Sequence, residues 1–386
     1  MISNLSTYVF LAVAAIPFIY YLLVLYSSWR FFPRALTQNA FTPPLSILKP
    51  IRGLDPEAYE NFASFCRQDY PEYELLFCVG QSDDPVIPTL EKLKRDFPEC
   101  RIRILFGSGS LAPNDKVAKL ARLVREAQYE ILVMGDSDVR VRPDYLRTVV
   151  APLADPKVGA VTCFYMPARE QSLAGNLQTI GMVSDFYAGL LVGWQLEGIT
   201  FALGPTIATS RSRLAEFGGL QAIENQPGDD LLVGRLIVEH GHEVELLSYT
   251  VTKLAGCRSL KELLAKRIRW MIVMRHMRRW GHLGLLFTQG LPWSLAAIAI
   301  SPSGGVAVAF VSAYLALRLA ITWTIGVRGL KQPGLWKVVP LIPIWDALAF
   351  FIWVASFLRK SVRWRDGEYY IRDGMLLPVA SSPTEK

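Results

Sequence analysis

The stretch Ile131-Leu132-Val133-Met134-Gly135-Asp136-Ser137-Asp138 joins four apolar residues to an acidic turn, and its reading decides the fold. The apolar run is too short for an ordinary helix and stops at a glycine, so it reads as a strand buried on both faces. Similar β-rich runs occur at Leu45–Leu48, Tyr73–Val79, Ile102–Phe106 and Val158–Cys163, separated by helical or turn patterns. This alternation between about Pro43 and Lys253 predicts an α/β fold with a largely parallel sheet covered by helices. Ligands of such sheets bind beyond the carboxyl ends of the strands, so the residues that follow each run carry the chemistry.

Two acidic clusters fall on that edge, Asp83-Asp84 after Tyr73–Val79 and Asp136-Ser137-Asp138 after Ile131–Met134. Residues i and i+2 share a face in extended chain, so Asp136 and Asp138 can together hold a hard divalent cation, Mg²⁺ or Mn²⁺, against a diphosphate. The bland alternative is a pair of solvated loop acids. Asp229-Asp230 follows Gln226-Pro227-Gly228 and opens the helical pattern Leu231–Glu239. That pair is either a general base or acids complementing a helix dipole. Lys116, early in another helical pattern, either neutralises phosphate or is a surface charge.

Of the 386 residues, 51% are hydrophobic and 19% charged, a balance too apolar for an ordinary soluble or a disordered chain. The net charge of +7 suits an anionic lipid surface and falls short of nucleic-acid binding, so no nucleic-acid partner is expected. Five scattered cysteines without a CxxC pair indicate neither a disulfide framework nor a zinc site. Tyr8–Tyr26 is uncharged and long enough to cross a bilayer, and Arg30, Arg34, Lys49 and Arg52 after it place the following chain in the cytoplasm. Leu283–Leu317, broken at Ser301–Gly305, reads as a hairpin of two membrane segments. Val338–Phe357 contains Pro340, Pro343 and Asp346 and is expected to lie at the interface or re-enter, because Arg359, Lys360, Arg363 and Arg365 favour a cytoplasmic tail, the alternative being a span. Lys253–Trp280, with nine Lys/Arg and one acid, reads mostly as a headgroup-facing flank, although Arg269 and Trp270 offer a guanidinium and an indole side by side. Arg318 and Asp346 read as a pair buried between helices or facing headgroups, the alternative being direct catalytic use.

Taken together, Ser46–Gly53, Asp69–Glu74, Asp83–Pro85, Asp136–Val141, Asp229-Asp230, Arg269-Trp270 and Trp364–Gly367 resemble the family-2-like glycosyltransferases of the GT-A fold, and within them the ceramide glucosyltransferase group, family 21. The bacterial hopanoid biosynthesis-associated branch is similar in size and motif wording. The resemblance implies a Rossmann-like, mostly parallel GT-A catalytic domain between an N-terminal transmembrane anchor and C-terminal membrane helices. The expected divisions are an anchor at 1–35, a cytoplasmic catalytic domain with a basic interface helix at 36–280, membrane helices at 281–358 and a cytoplasmic tail at 359–386.

The same resemblance implies an inverting transfer from a UDP-sugar, with glucose or N-acetylglucosamine, to the hydroxyl of a membrane lipid such as a polyhydroxylated hopanoid. It assigns a nucleotide contact to Asp84, a metal contact to Asp136 with Asp138 completing the motif, the base to Asp230, and product or diphosphate contacts to Arg269 and Trp270. Lys49, Lys116, Asp136 and Asp229 are further candidates on the nucleotide sugar. Lys266 stands where the family pattern has Gln or Arg. Rival readings are a ceramide glucosyltransferase, a processive polysaccharide synthase, a polyprenyl-phosphate sugar transferase and a non-catalytic membrane scaffold.

Overall fold

Eight strands form the main sheet: β1 (Leu45–Ile51), β2 (Tyr73–Val79), β3 (Arg101–Phe106), β4 (Ile131–Met134), β5 (Val139–Arg140), β6 (Val158–Pro167), β7 (Ile207–Ser210) and β8 (Glu243–Lys253). Their order is β3-β2-β1-β4-β7-β6-β8-β5. The computed structural model describes residues 2–37, 39–110, 112–168, 172–254, 256–301, 303–359, 361–364, 367–372 and 374–378. It divides into two compact units, one of residues 35–169 and 197–256 and the other of residues 1–34, 170–196 and 257–386.

In the first unit β1 pairs in parallel with β2 and β4, β2 with β3, and β6 with β8. The short strands β7 and β5 run antiparallel to their neighbours. The mostly parallel sheet expected from the sequence is present, with β7 inserted at its centre. β1, β2 and β4 are buried along nearly their whole length, as expected of strands covered on both faces.

Two helix starts bring charge to the carboxyl edge. Asn114 caps the helix Asp115–Glu126 by accepting from the Val117 amide at 3.4 Å, which puts Lys116 in its first turn. Gly228, at φ 73° and ψ 52°, turns the chain into the helix Asp229–Glu239 through a left-handed conformation that favours glycine. That helix lies against the segment before β7, and a Cβ on Gly234 would stand 2.4 Å from the Phe201 backbone.

The second unit is helical. Leu5–Phe31, Gly304–Gly329 and Pro333–Leu358 are each long and apolar enough to cross a membrane. Arg279–Thr288 and Gly290–Ile300 form a pair bent by 57°, which makes a fourth crossing only if counted as one broken span. This relocates the irregular segment. Pro340 and Pro343 were expected to interrupt the last apolar stretch, but Pro340 lies in a 3₁₀ stretch, Pro333–Leu341, that leads directly into the helix Ile342–Leu358, with Pro343 in its first turn. A proline there lacks only a donor that the helix start leaves unused. The first arm of the expected hairpin, Gly290–Ile300, has 11 residues and at about 1.5 Å per residue is long enough to span only when joined to Arg279–Thr288.

Arg318 and Asp346 are indeed paired and buried between helices. After the last helix, β9 (Ser361–Trp364), β10 (Gly367–Arg372) and β11 (Met375–Pro378) form an antiparallel sheet. Val362, Ile371 and Leu376 from it cluster with Ile272 and Val273 of the helix Leu260–Met277. Arg365 and Asp366 of the Trp364–Gly367 motif lie outside the described residues.

Replacing Gly234 by Ala should lower stability by about 1–3 kcal/mol, because the added methyl meets backbone rather than a mobile side chain. A thermal melt in detergent equal to wild type would contradict this packing.

Candidate active site

The strand register builds the centre of the site. β1 and β4 run side by side from Leu45↔Ile131 to Leu48↔Met134, so the chain leaves β4 at Gly135 beside Lys49. Gly135 is needed there, since a Cβ would lie 2.7 Å from the Pro205 carbonyl oxygen. β5 then pairs with β8 so that Val139 faces Lys253, which brings the end of β8 against the Asp136–Asp138 turn.

Asp136 is gripped from two sides. Its Oδ1 lies 2.9 Å from Lys116 Nζ and its Oδ2 2.5 Å from Lys253 Nζ. Burial alone would raise its pKa, but the two ammonium groups hold it well below the usual carboxylate range. Lys253 Nζ also lies 3.0 Å from Asp138 Oδ1, and Lys116 Nζ 3.0 Å from Asp229 Oδ2. Both lysines, though burial disfavours their charge, are held above the ordinary lysine value by these carboxylates.

Asp230 behaves oppositely. Its Oδ2 accepts from the Gly204 amide at 3.1 Å and its Oδ1 from the Leu231 amide at 3.0 Å. Burial first, and the neighbouring Asp229 second, push its carboxyl up to about 6, with Lys116 pulling the other way. A carboxylate with that pKa is ionised at neutral pH yet basic enough to take a proton. Asp136 is held low and Asp230 high, and acids of one site whose pKa values are driven apart are a recurrent mark of acid–base chemistry.

Asp84 is placed at the same edge, where its Oδ2 accepts from the Gly53 amide at 2.9 Å and its Oδ1 from the Val86 amide at 3.0 Å. It thereby ties the loop after β1 to the loop after β2. Lys49 is buried beneath the site, its Nζ donating to the Asp136 carbonyl at 2.9 Å and lying 3.6 Å from the centre of the Phe65 ring. Burial lowers its pKa to about 7. In this position Lys49 braces the acidic turn from below. Arg269 and Trp270 belong to the other unit, on the helix Leu260–Met277, where the Trp270 ring lies 5.2 Å from the Arg267 guanidinium.

Two members of the site escape a reading of the sequence. Lys253 was assigned to the basic flank, but it is the last residue of β8 and faces Asp136 and Asp138. Its position at a strand's carboxyl end was the available signal. Asp55 accepts from Ser137 Oγ at 2.5 Å and so holds the middle of the acidic turn; nothing in its local pattern pointed to this.

A divalent ion would find hard oxygen donors here. Asp138 Oδ1 is buried and has no aligned hydrogen bond, although an ammonium lies near it. Among the described residues no group of three or more His, Cys, Asp or Glu could hold a metal ion. Asp136 and Asp138 offer two carboxylates, which suits a divalent ion that takes its remaining ligands from water and substrate phosphate.

A sheet of this order, with a DxD turn and an acidic helix start at its carboxyl edge, defines a GT-A-type glycosyltransferase. The chain belongs to glycosyl transferase family 21, whose model it matches over residues 9–377. It is 23% identical over 403 residues to ceramide glucosyltransferase 3 of Caenorhabditis elegans, covering 98% of this chain and 85% of that one. To a ceramide glucosyltransferase of Gibberella zeae it is 32% identical over 165 residues, covering 40% of this chain and 30% of that one. The fold is shared with the mannosyltransferase PcManGT of Pyrobaculum calidifontis, solved with GDP-Man and Mn²⁺, at a TM-score of 0.59 and 19% identity, over 88% of this chain and 99% of that chain.

Lys116→Met should move the acid limb of the pH–activity profile upward from about 6, because Lys116 is the cation that lowers the Asp230 pKa. An unmoved limb would mean that Asp230 does not set it.

Proposed function

We propose that this glycosyltransferase moves glucose or N-acetylglucosamine from a UDP-sugar to the hydroxyl of a membrane lipid, with inversion at the anomeric carbon. The observation that carries the reading is Asp230, a partly buried carboxylate with a pKa near 6, on the same helix start as Asp229 and hydrogen-bonded to the Gly204 amide. Asp230 takes the proton of the acceptor hydroxyl as that oxygen attacks the anomeric carbon. The bond from that carbon to the diphosphate breaks on the opposite face, and its electron pair leaves with UDP. No second nucleophile is required.

Asp136 and Asp138 would hold Mg²⁺ or Mn²⁺, which supplies positive charge against the diphosphate oxygens when bound. Lys116 and Lys253 keep Asp136 ionised, and Lys253 Nζ also lies 3.0 Å from Asp138 Oδ1. Arg269 and Trp270 keep the roles implied by the family pattern, and Asp84 that of a nucleotide contact.

The lipid acceptor is supported by the apolar helices of the second unit and by relatives named ceramide glucosyltransferases. Within lipid alcohols, the motif wording favours a hopanoid in a bacterial inner membrane. Ceramide is the second reading, favoured by the names of the relatives. Incubation of the purified protein with UDP-glucose, UDP-N-acetylglucosamine and a panel of lipid alcohols, read by mass spectrometry, decides between them.

Asp230→Asn keeps the volume and removes the base, so kcat should fall by about 10²–10⁴-fold while UDP affinity stays near wild type. In the wild type, kcat/KM should fall about tenfold for each pH unit below about 6, since protonated Asp230 cannot accept a proton. A flat profile down to pH 4.5 removes Asp230 from the role of base.

Excess EDTA should abolish transfer, and Mg²⁺ or Mn²⁺ should restore it; full turnover in EDTA sinks the metal assignment. For topology, an outward N-terminus, three spans and a bent pair that returns to its own side leave the tail in the cytoplasm. A cysteine at Ser361 should then resist an impermeant thiol reagent in intact cells and react once the membrane is opened.

A further inference from the structure

The helical unit contains a polar island in which one guanidinium meets two carboxyl groups. Arg318 is fully enclosed and donates from Nε to Asp346 Oδ2 at 2.9 Å and from Nη2 to Asp346 Oδ1. Tyr314 completes the shell of Asp346 with a 2.7 Å hydrogen bond from its hydroxyl. The guanidinium also reaches the Ser184 carbonyl at 2.6 Å, the Ser184 hydroxyl at 3.1 Å and Asp185 Oδ1 at 3.0 Å. Trp345 Nε1 donates to the other oxygen of Asp185.

One guanidinium therefore serves two carboxylates. Asp346 matches it in a buried, two-point pair, the strong geometry for these groups. Asp185 shares the same guanidinium, and its side chain is 38% exposed whereas that of Asp346 is 8% exposed. Among the described residues, Arg318 is the cation within ion-pair distance of either. A brace between helices would need only Arg318, Asp346 and Tyr314. Asp185 is a further carboxylate on the same guanidinium that this brace does not require, and ionisable groups in such places mark binding or transport sites.

The backbone points the same way. Asp185 sits in a π-helical turn, Met182–Phe186, between the helices Leu173–Gly181 and Tyr187–Glu197. Such turns are weaker than α-helix and concentrate at functional sites. The ring of Trp345 lies against the carboxylate through its Nε1, and the next residue, Phe186, forms a partly exposed aromatic pair with Trp270 at 6.3 Å. A fixed acceptor of hydrogen bonds next to aromatic rings suits a lipid whose polar end carries hydroxyl or amide N–H donors.

We propose that Asp185 accepts hydrogen bonds from the hydroxyl or amide groups of the acceptor lipid, and so positions and selects the acceptor. This rests on the reading of a lipid alcohol as acceptor. Arg318 and Trp345 hold each oxygen in place, leaving the outer lone pairs for the ligand.

The test uses the full-length protein in lipid nanodiscs with UDP-sugar and the lipid alcohol that the wild type glycosylates. Asp185→Asn should raise the acceptor KM ten- to hundredfold, the loss expected for a charge-assisted hydrogen bond, while donor KM and acceptor-independent hydrolysis of the UDP-sugar stay at wild-type values. Asp185→Glu keeps the charge but moves the oxygens, and should raise the acceptor KM with the fold intact, which decides the matter if the Asn variant does not fold. Unchanged acceptor KM in the folded variants overturns the proposal. So does a parallel fall of donor affinity, acceptor affinity and melting temperature, which would make Asp185 a brace. Wild-type transfer to no lipid alcohol would instead overturn the reading of the acceptor, and this proposal with it.

Discussion

The site is organised by one carboxylate held between two ammonium groups. Asp136 would be costly to keep ionised away from water, and Lys116 and Lys253 on its two oxygens offset that cost. Each lysine then touches a second acid, Asp229 for Lys116 and Asp138 for Lys253, so the charges form a chain rather than isolated pairs. The position of Asp230 outside this chain matters as much. It has amide donors but no ammonium within ion-pair distance among its described contacts, and its carboxyl is accordingly raised while that of Asp136 is depressed.

The geometry that produces this arrangement comes from strand pairing. The parallel β1–β4 register delivers the acidic turn, the β5–β8 pairing delivers Lys253, and two helix starts deliver Lys116 and the Asp229-Asp230 pair. Along the chain these elements fall into three separate stretches: β1, then the helix Asp115–Glu126 with β4 and β5, then the helix Asp229–Glu239 with β8. The chemistry is therefore a property of the sheet, and the acids alone do not define it.

This separation explains what was legible in the sequence. Buried parallel strands leave continuous apolar runs, so β1, β2, β4 and β6 were readable, the half-buried edge strand β3 showed through Ile102, Ile104, Leu105 and Phe106, and the acids at the strand ends followed from the fold rule. The four-residue β7 and two-residue β5 carry too little pattern, and without β5 the partner of Lys253 is invisible. Lys253 consequently merged with the basic run behind it. Lys49 shows the opposite failure: it lies in a matching motif, yet the pleat directs its side chain into the core under the turn. In the apolar segments composition gave the lengths, but it did not reveal which one bends, because Pro340 and Pro343 fall where the helix begins and tolerates them.

The excursion of residues 170–196 into the helical unit has a consequence for how the chain assembles. β7 is a central strand of the sheet, between β4 and β6, yet it is synthesised after that excursion. The sheet thus stays open in the middle until a stretch belonging to another core has been sent away and the chain has come back. Contacts closed so late span many residues, which slows folding and exposes unpaired strand edges meanwhile. No single cut in the chain frees the sheet with all its strands and without the excursion. A soluble fragment would have to replace the excursion with a designed loop.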